Sequence, residues 1–234
     1  MILNEYFDHV YCLSLTHSVD RRSVMQKKAQ EVGLRYSYYP GIYGSLLTNV
    51  YEAVKKAGAT DILNANYMAC ALSHLSIYKD ALNRGRKNIL ILEDDLLFHR
   101  EINEKFTSIK PQIPENWDLL YLAWIPLSDS RIEWDYRVIN DQIISSGIIK
   151  AKNLWSCMAY GITDTMMHKT IELFDFSKEI DRFFVEDIQP NYNCYGIRPQ
   201  LFAGYDNLSN NTNRYDSIFK RSFDNRVATV SDYL

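Results

Sequence analysis

The chain has 234 residues, of which 47% are apolar and 24% are charged, and its formal net charge at pH 7 is -3. This composition is sufficient for one full hydrophobic core, and the scattered basic residues do not form the positive surface of a nucleic-acid-binding protein. No apolar run is long enough to span a bilayer, and the acidic N-terminal stretch does not have the pattern of a signal peptide, so we expect a cytoplasmic protein.

The four cysteines are widely spaced along the chain, at Cys12, Cys70, Cys157 and Cys194. Because no two of them form a Cys-x-x-Cys pair, the sequence predicts neither a disulfide framework nor a thiolate zinc site. Reduced thiols agree with the expected cytoplasmic location.

The first half of the chain alternates predicted strands with predicted helices. The strands are expected at 9–15, 36–39, 88–92 and 117–123, and the helices at 18–33, 48–57, 66–84 and 102–110. Such alternation indicates an α/β layer fold with a largely parallel sheet, in which ligands bind beyond the carboxyl ends of the strands.

Six residues of the predicted helix 66–84 recur at helical spacing and are expected to form its core face: Met68, Ala71, Leu72, Leu75, Tyr78 and Leu82. The second half of the chain is less regular. Strands are expected at 142–153 and 156–162 as an antiparallel addition, a helix at 164–174 and a late strand at 196–202.

Three adjacent acids, Glu93, Asp94 and Asp95, follow the predicted strand 88–92. Adjacent carboxylates repel one another, and their burial is costly unless a cation or hydrogen-bond donors compensate for it. The acids therefore either hold a metal or ligand, or lie in a solvated turn and cap a helix that begins near Glu101.

Strand geometry predicts the directions in which the three acidic side chains point. In an extended backbone successive side chains alternate between faces, so Glu93 and Asp95 are expected to point together and Asp94 to point away. Carboxylates in this arrangement can bind a divalent cation while another acid accepts hydrogen bonds from hydroxyl groups such as those of a ribose.

Cys70 and His74 are four residues apart in a predicted helix, which is a spacing that can hold a metal. The same spacing arises often by coincidence. A packed histidine with one satisfied nitrogen is the preferred interpretation at this point.

Two sequence blocks carry a family resemblance. The block NYMACALSHLSIYKDAL at 66–82, followed by NILILEDDLLF at 88–98, resembles glycosyltransferase family 25, which contains bacterial lipooligosaccharide galactosyltransferases and collagen galactosyltransferases. The opening VYCLSLTHSVDRRSVM and the later blocks WDLLYLA, MAYGIT, EIDRFF and YGIRPQLF are similar to blocks of this family and stand in the same order.

The resemblance implies an α/β fold of the GT-A type, with a single domain over 1–234 and a Rossmann-like mixed sheet flanked by helices. Residues 1–125 would form the nucleotide-sugar-binding half and residues 126–234 the acceptor half. It also implies a UDP-sugar donor, usually UDP-galactose, and Mn²⁺ or Mg²⁺. The expected reaction is transfer with inversion to a saccharide, glycolipid or hydroxylated side chain, as in lipopolysaccharide biosynthesis.

The resemblance also assigns roles around the acidic triplet. Asp95 is the expected direct metal ligand, Asp94 is expected to contact the metal or the ribose, and Glu93 is expected to orient the site. Ser73 and His74 are expected to donate hydrogen bonds near the donor sugar or its diphosphate.

Inverting transfer needs a general base, and the EIDRFF block nominates Asp181 for this role. Glu186 and Asp187 are the rival candidates. The alternative interpretation makes Asp181 a helix N-cap before Arg182.

Two arginines, Arg21 and Arg22, begin the helix after the first strand, where their guanidinium groups could bind phosphate or nucleotide. The alternative is a solvated helix face. Asp206 and Asn207, after the last strand, could close over the metal or the acceptor.

Two other functions compete with glycosyl transfer. One is a metal-dependent phosphohydrolase, although the chain has neither an Asp-x-Asp-x-Thr loop nor a supporting histidine cluster. The other is a noncatalytic glycan-binding domain of the same fold.

Overall fold

The computed structural model describes residues 2–58, 63–127, 136–204, 207–208, 215–216 and 223–234. Its strands are β1 (His9–Ser14), β2 (Ser37–Pro40), β3 (Asn88–Glu93), β4 (Leu96–Phe98), β5 (Leu119–Pro126), β6 (Ile148–Lys150), β7 (Leu154–Thr163), β8 (Cys194–Ile197), β9 (Phe202–Gly204), β10 (Asn207–Leu208) and β11 (Tyr215–Asp216).

The α-helices of the described ranges are α1 (Ile2–Tyr6), α2 (Val19–Val32), α3 (Thr48–Lys56), α4 (Ala65–Asn83), α5 (Ile102–Ile109), α6 (Asp164–Leu173) and α7 (Ile180–Phe183). A π-helical turn, Phe184–Ile188, continues α7, and short 3-10 turns lie at Gly44–Leu47, Lys110–Gln112, Tyr136–Gln142 and Val230–Asp232. None of the helices in the ranges given above is both long enough and apolar enough to cross a bilayer.

The central sheet has seven strands in the order β2-β1-β3-β7-β5-β8-β6. Strand β1 runs parallel to β2 and β3, and β5 runs parallel to β8, whereas β6 and β7 run antiparallel to their neighbours. The predicted α/β class with a mixed sheet flanked by helices is confirmed.

The position of β7 differs from the sequence-based expectation. This antiparallel strand lies in the middle of the sheet, between β3 and β5, rather than beside a separate parallel sheet. Nearly every residue of β7 is buried, which is the pattern of a strand that is covered on both faces. The expectation of a largely parallel sheet with an antiparallel addition is therefore wrong in this respect.

The sheet separates two hydrophobic cores. Along β3, Leu90 and Leu92 belong to the core that α2 and α5 cover, and Ile89 and Ile91 belong to the core that α4 and α6 cover. This alternation follows from the two-residue period of a strand. Because both faces of β3 are covered, its polar residues can lie only at its ends.

Helix α4 begins at the cap residue Asn64, whose side chain accepts hydrogen bonds from the N–H groups of Asn66 and Tyr67. The predicted core face is only partly right. Ala71, Leu75 and Tyr78 are buried, whereas Met68, Leu72 and Leu82 are half-buried. The helix buries a wider face than the apolar stripe indicates, and this face includes the polar residues Ser73 and His74.

The late strand expected at 196–202 is divided into β8 and β9 around the Arg198–Pro199 peptide bond. Strand β9 leaves the main sheet and pairs antiparallel with β4, with Leu97 opposite Ala203. A proline cannot donate a ladder hydrogen bond, so the division at this point has a physical reason.

Candidate functional site

The carboxyl ends of the three parallel strands β1, β2 and β3 meet at one edge of the sheet. In the parallel register Leu13 lies beside Glu93, and Ser14 lies beside Pro40. The segments that follow these strands are therefore neighbours at the edge where ligands bind in open α/β sheets.

The acidic turn, which we define as Asp94 and Asp95 directly after β3, lies at this edge. One guanidinium nitrogen of Arg21, Nη1, is 3.2 Å from Asp94 Oδ1 and 3.3 Å from Asp95 Oδ2. The expectation that Glu93 and Asp95 point together is wrong. The strand ends at Glu93 and the chain bends at Asp94 and Asp95, so the side-chain alternation of an extended strand no longer applies.

Asp94 is the most deeply placed acid of the turn. Its carboxylate accepts a hydrogen bond from the Ser14 hydroxyl at the end of the neighbouring strand. Burial raises the pKa of Asp94, and the hydrogen bond from Ser14 and the charge of Arg21 oppose this shift. The chain itself thus supplies a cation and a donor for the buried acid.

A second basic residue, Lys28, lies near Asp95. Its ammonium group donates a hydrogen bond of 3.0 Å to the carbonyl oxygen of Leu96. Burial lowers the pKa of Lys28 to about 8, and the negative charge of Asp95 acts in the opposite direction. Arg21 and Lys28 are thus two basic groups that lie beside Asp94 and Asp95.

The guanidinium group of Arg22 has different neighbours. It donates hydrogen bonds to the carbonyl oxygens of Leu15 and Thr16, the latter at 2.7 Å, and it lies 4.8 Å from the ring centroid of Tyr38. These contacts fix the loop between β1 and α2. The assignment of Arg22 to phosphate stays a prediction, and its contacts within the chain account for its position.

Ser73 uses its hydroxyl group inside the protein. It donates to the carbonyl oxygen of Ala69 at 2.7 Å and accepts from the N–H of Ile42 at 2.8 Å. Since the single hydroxyl proton is already donated, the expectation that Ser73 donates to a ligand does not fit this structure. The hydroxyl instead joins α4 to the segment after β2.

Glu93 turns toward α4 and lies beside His74. The His74 Nε2 atom is 3.6 Å from Glu93 Oε1, and the His74 side chain is fully buried. Cys70, one helical turn earlier, contributes its Sγ atom to the same cluster, in which the candidate ligand atoms lie within 4.8 Å of one another. The pairing of Cys70 and His74, which spacing alone made doubtful, thus has Glu93 as a third member.

Asp181, on α7, interacts electrostatically with this cluster. Burial raises the pKa of Asp181 to about 6, and the charges of Glu179 and Glu93 contribute to the rise. The residue still keeps part of its surface accessible to solvent. The N-cap of α7 is Glu179 rather than Asp181, so the N-cap interpretation of Asp181 is wrong.

The two rival acids lie on the π-helical turn and are paired with bases. Lys178 Nζ is 3.1 Å from Glu186 Oε2 and 2.9 Å from Asp187 Oδ2. Arg182 Nε is 2.9 Å from Glu186 Oε1. No lysine or arginine within the described ranges forms a salt bridge with Asp181, which distinguishes it from both rivals. Asp206 lies outside the described residues, and the structure describes Asn207 only through the backbone of β10.

The residues of the acidic turn fit a divalent metal. Oxygens of Asp94 and Asp95 already lie around one cationic nitrogen, and Mg²⁺-type ions are commonly held by one or two carboxylates together with substrate phosphates. Asp94 and Asp95 would be the residues that hold such an ion.

The sequence analysis did not identify Ser14, Lys28 or Tyr160 as residues of the site. Ser14 is the last residue of β1, and pairing of β1 with β3 would have been the signal. Tyr160, whose hydroxyl is 2.8 Å from His74 Nδ1, lies on β7, so only the strand order brings it here.

Comparison of the sequence with known proteins identifies the family of this chain. The sequence profile described as glycosyltransferase family 25 (LPS biosynthesis protein) matches residues 7–184. The chain therefore belongs to glycosyltransferase family 25.

Among similar proteins, procollagen galactosyltransferase 1-B of Xenopus laevis is 30% identical over 129 residues, which cover 50% of this chain and 21% of that protein. The procollagen lysyl hydroxylase and glycosyltransferase of Acanthamoeba polyphaga mimivirus is 27% identical over 173 residues, which cover 64% of this chain and 18% of that protein. The human protein named inactive glycosyltransferase 25 family member 3 is 25% identical over 131 residues, which cover 50% of this chain and 22% of that protein.

The chain spans about a fifth of the length of these curated relatives. Among solved structures, A197 from STIV matches with a TM-score of 0.50 at 9% identity and covers 95% of this chain and 96% of that one. At this identity the match concerns the fold alone.

Proposed function

We propose that the chain is a metal-dependent inverting glycosyltransferase that uses a UDP-sugar and moves a hexose, with galactose as the first candidate. The acceptor is a hydroxyl group of a saccharide, a glycolipid or a hydroxylated side chain. Family membership supports glycosyl transfer, and the galactosyltransferase names of similar proteins support the choice of sugar.

One observation carries the proposal. In this member of the family, carboxylate oxygens of Asp94 and Asp95 both contact one nitrogen of Arg21 at the carboxyl edge of β3, so the two acids can share a single cation. Mn²⁺ or Mg²⁺ at these carboxylates, when bound with the donor, would act as a Lewis acid on the departing diphosphate. Arg21, which already contacts both acids, is positioned to offer its guanidinium group to the donor phosphates.

Asp181 is the proposed general base. Its carboxylate accepts the proton of the acceptor hydroxyl while the hydroxyl oxygen forms a bond to the anomeric carbon and the bond from that carbon to the diphosphate oxygen breaks. A pKa of about 6 leaves the carboxylate ionised at neutral pH and makes it more basic than an ordinary aspartate. Glu186 and Asp187 are weaker candidates because both form salt bridges, Glu186 with Lys178 and Arg182, and Asp187 with Lys178.

The test is release of UDP from a panel of UDP-sugars in Mn²⁺ and after chelation, with wild type and Asp95→Asn. Asp141→Asn, which changes an exposed acid elsewhere, is the matched control. We expect turnover in Mn²⁺ that chelation and Asp95→Asn abolish and that Asp141→Asn retains. Equal turnover with and without chelator, or in Asp95→Asn, would contradict the metal assignment.

A second candidate is a noncatalytic glycan-binding domain, and the named inactive human relative is the observation that favours it. This candidate predicts saccharide binding without UDP release in the same panel. A phosphohydrolase would instead hydrolyse simple phosphate esters without binding UDP. The cytoplasmic location stays a prediction.

A further inference from the structure

A three-residue cluster on α4 and β3 has the composition of a transition-metal site. Cys70 Sγ, His74 Nε2 and a Glu93 carboxylate oxygen lie within 4.8 Å of one another. We propose that this cluster binds a divalent ion of the zinc class, with Cys70, His74 and Glu93 as the three protein ligands and a fourth position open to water. The inference goes beyond the proposed function, because it concerns a different ion, different ligand atoms and a site that needs no nucleotide.

The state of His74 points to a ligand. Its Nε2 atom is fully buried and has no hydrogen-bond partner within the described part of the chain. The 3.6 Å separation from Glu93 Oε1 is longer than a hydrogen bond. Buried polar nitrogens are almost always satisfied, so an unpartnered nitrogen that faces a carboxylate and a thiol is an unusual arrangement that a metal ion would explain.

Tyr160 orients this histidine. The His74 Nδ1 atom is 2.8 Å from the Tyr160 hydroxyl, and Tyr160 is also hydrogen-bonded to the Tyr78 hydroxyl. When the Tyr160 hydroxyl donates a hydrogen bond to Tyr78, its oxygen can accept a hydrogen bond from the Nδ1–H group of His74. In this tautomer the lone pair of Nε2 points to the cluster. A metal-binding histidine commonly has this kind of second hydrogen bond, which fixes its tautomer and ring orientation.

The charge around the cluster also favours a cation. Glu93 and Asp181 interact with one another, and both raise the pKa of the buried thiol of Cys157 after the larger effect of burial. In the ranges that the structure describes, neither acid forms a salt bridge with a lysine or an arginine. A divalent ion would offset this excess of negative charge.

The ligand set selects the class of metal. Zinc bonds of about 2.0–2.3 Å at tetrahedral angles separate ligand atoms by about 3.3–3.6 Å, so small side-chain movements would close the cluster around an ion. One thiolate and one imidazole suit Zn²⁺ or Co²⁺ better than Mn²⁺, whereas the all-oxygen pair Asp94 and Asp95 suits Mn²⁺ or Mg²⁺. Binding converts the Cys70 thiol to a thiolate and releases its proton to solvent.

The test uses Co²⁺ as a spectroscopic probe on the full chain after dialysis against a chelator, without nucleotide. We expect one equivalent of Co²⁺ to give a thiolate-to-cobalt charge-transfer band and the visible absorption of a four-coordinate site, and Zn²⁺ to displace it. Cys70→Ser should abolish the charge-transfer band. Glu93→Gln should weaken Co²⁺ binding by about 10-fold or more.

Two controls separate this site from the others. Asp95→Asn should leave the cobalt spectrum unchanged, because that acid is not a ligand here, and Cys194→Ala, which removes a buried thiol outside the cluster, should also retain it. If Cys70→Ser does not fold by circular dichroism, the folded Glu93→Gln variant decides the question. A folded wild type without the charge-transfer band at saturating Co²⁺, or with the same spectrum in Cys70→Ser, would overturn the proposal. UDP turnover plays no part in these outcomes, so the glycosyltransferase proposal stands or fails separately.

Discussion

The Ser14 hydroxyl donates a hydrogen bond to the carboxylate of Asp94, and this contact joins the ends of the parallel strands β1 and β3. The two residues are 80 positions apart in sequence and meet because the register of the strands brings Leu13 beside Glu93. The contact therefore fixes the acidic turn relative to the first strand of the sheet.

Replacing Ser14 by alanine removes the donor and leaves a buried carboxylate oxygen without this hydrogen bond. We expect Ser14→Ala to lower the free energy of unfolding by about 1–3 kcal/mol, as measured by urea denaturation. Because the Ser14 hydrogen bond lowers the pKa of Asp94, the variant should also raise that pKa further. Ser108→Ala is the control, since Ser108 is exposed and should change stability by less than about 0.5 kcal/mol.

Arg21 should influence how the protein responds to Mn²⁺. In Arg21→Gln two neighbouring carboxylates lose their shared cation. We expect the unfolding free energy to fall by about 1–3 kcal/mol, a range that already allows for solvent screening of the partly exposed side chains. Added Mn²⁺ should raise the melting temperature of the variant more than that of wild type. An ion no longer has to displace the guanidinium group, so it binds the native state more tightly.

Arg182→Gln is the matched control for this experiment. Arg182 also pairs with an acid, but that acid is Glu186 rather than Asp94 or Asp95, and the Arg182 side chain is half exposed. We expect a change of about 0–1 kcal/mol and no additional response to Mn²⁺. Equal Mn²⁺ responses in Arg21→Gln and Arg182→Gln would show that the ion does not bind at Asp94 and Asp95.

Local sequence patterns predicted the elements that carry the site. The structure places β1 at His9–Ser14 and β3 at Asn88–Glu93, within one residue of the expected bounds, because continuous apolar runs end at polar residues there. The central position of β7 was not predictable, since the order of strands depends on contacts between distant segments. The short strand β4 also lacks a pattern long enough to identify it.

In the candidate site too, local features were predictable from the sequence and contacts between distant segments were not. Its acids and arginines were identified by residue type and position, but their partners were not. Asp94 and Asp95 share Arg21 only because the chain bends after Glu93, and Glu93 meets His74 only because α4 packs against that side of β3. Ser73 was expected to donate to a ligand, and its hydroxyl donates to the backbone instead. Arg22 contacts backbone carbonyl oxygens, and its assignment to phosphate stays a prediction.

Asp181 should govern the pH dependence of transfer. A general base works only when it is ionised, so we expect kcat to rise with pH through about 6 and then to level off. Asp181→Asn should lower kcat by about 10²- to 10⁴-fold and remove this limb of the profile, with little change in KM for the donor. Asp187→Asn should lower kcat by less than about 10-fold, because Asp187 is paired with Lys178. A profile that keeps its limb near pH 6 in Asp181→Asn would assign the base to another group.

The same raised pKa predicts how Asp181 affects stability. The folded-state pKa of about 6 exceeds the unfolded value of about 3.9, so between these two pH values the unfolded chain loses its proton first. The unfolding free energy contributed by Asp181 is therefore fully present below about pH 4 and falls as pH rises through about 6. Asp181→Asn removes this ionisation, and we expect it to be more stable than wild type at pH 8, with the difference disappearing below pH 4. Urea denaturation at both pH values measures this, with Asp141→Asn as the exposed control. A variant that is less stable than wild type at pH 8 would show that the ionised Asp181 carboxylate stabilises the fold. It would contradict the view that this carboxylate lowers stability and is retained for catalysis.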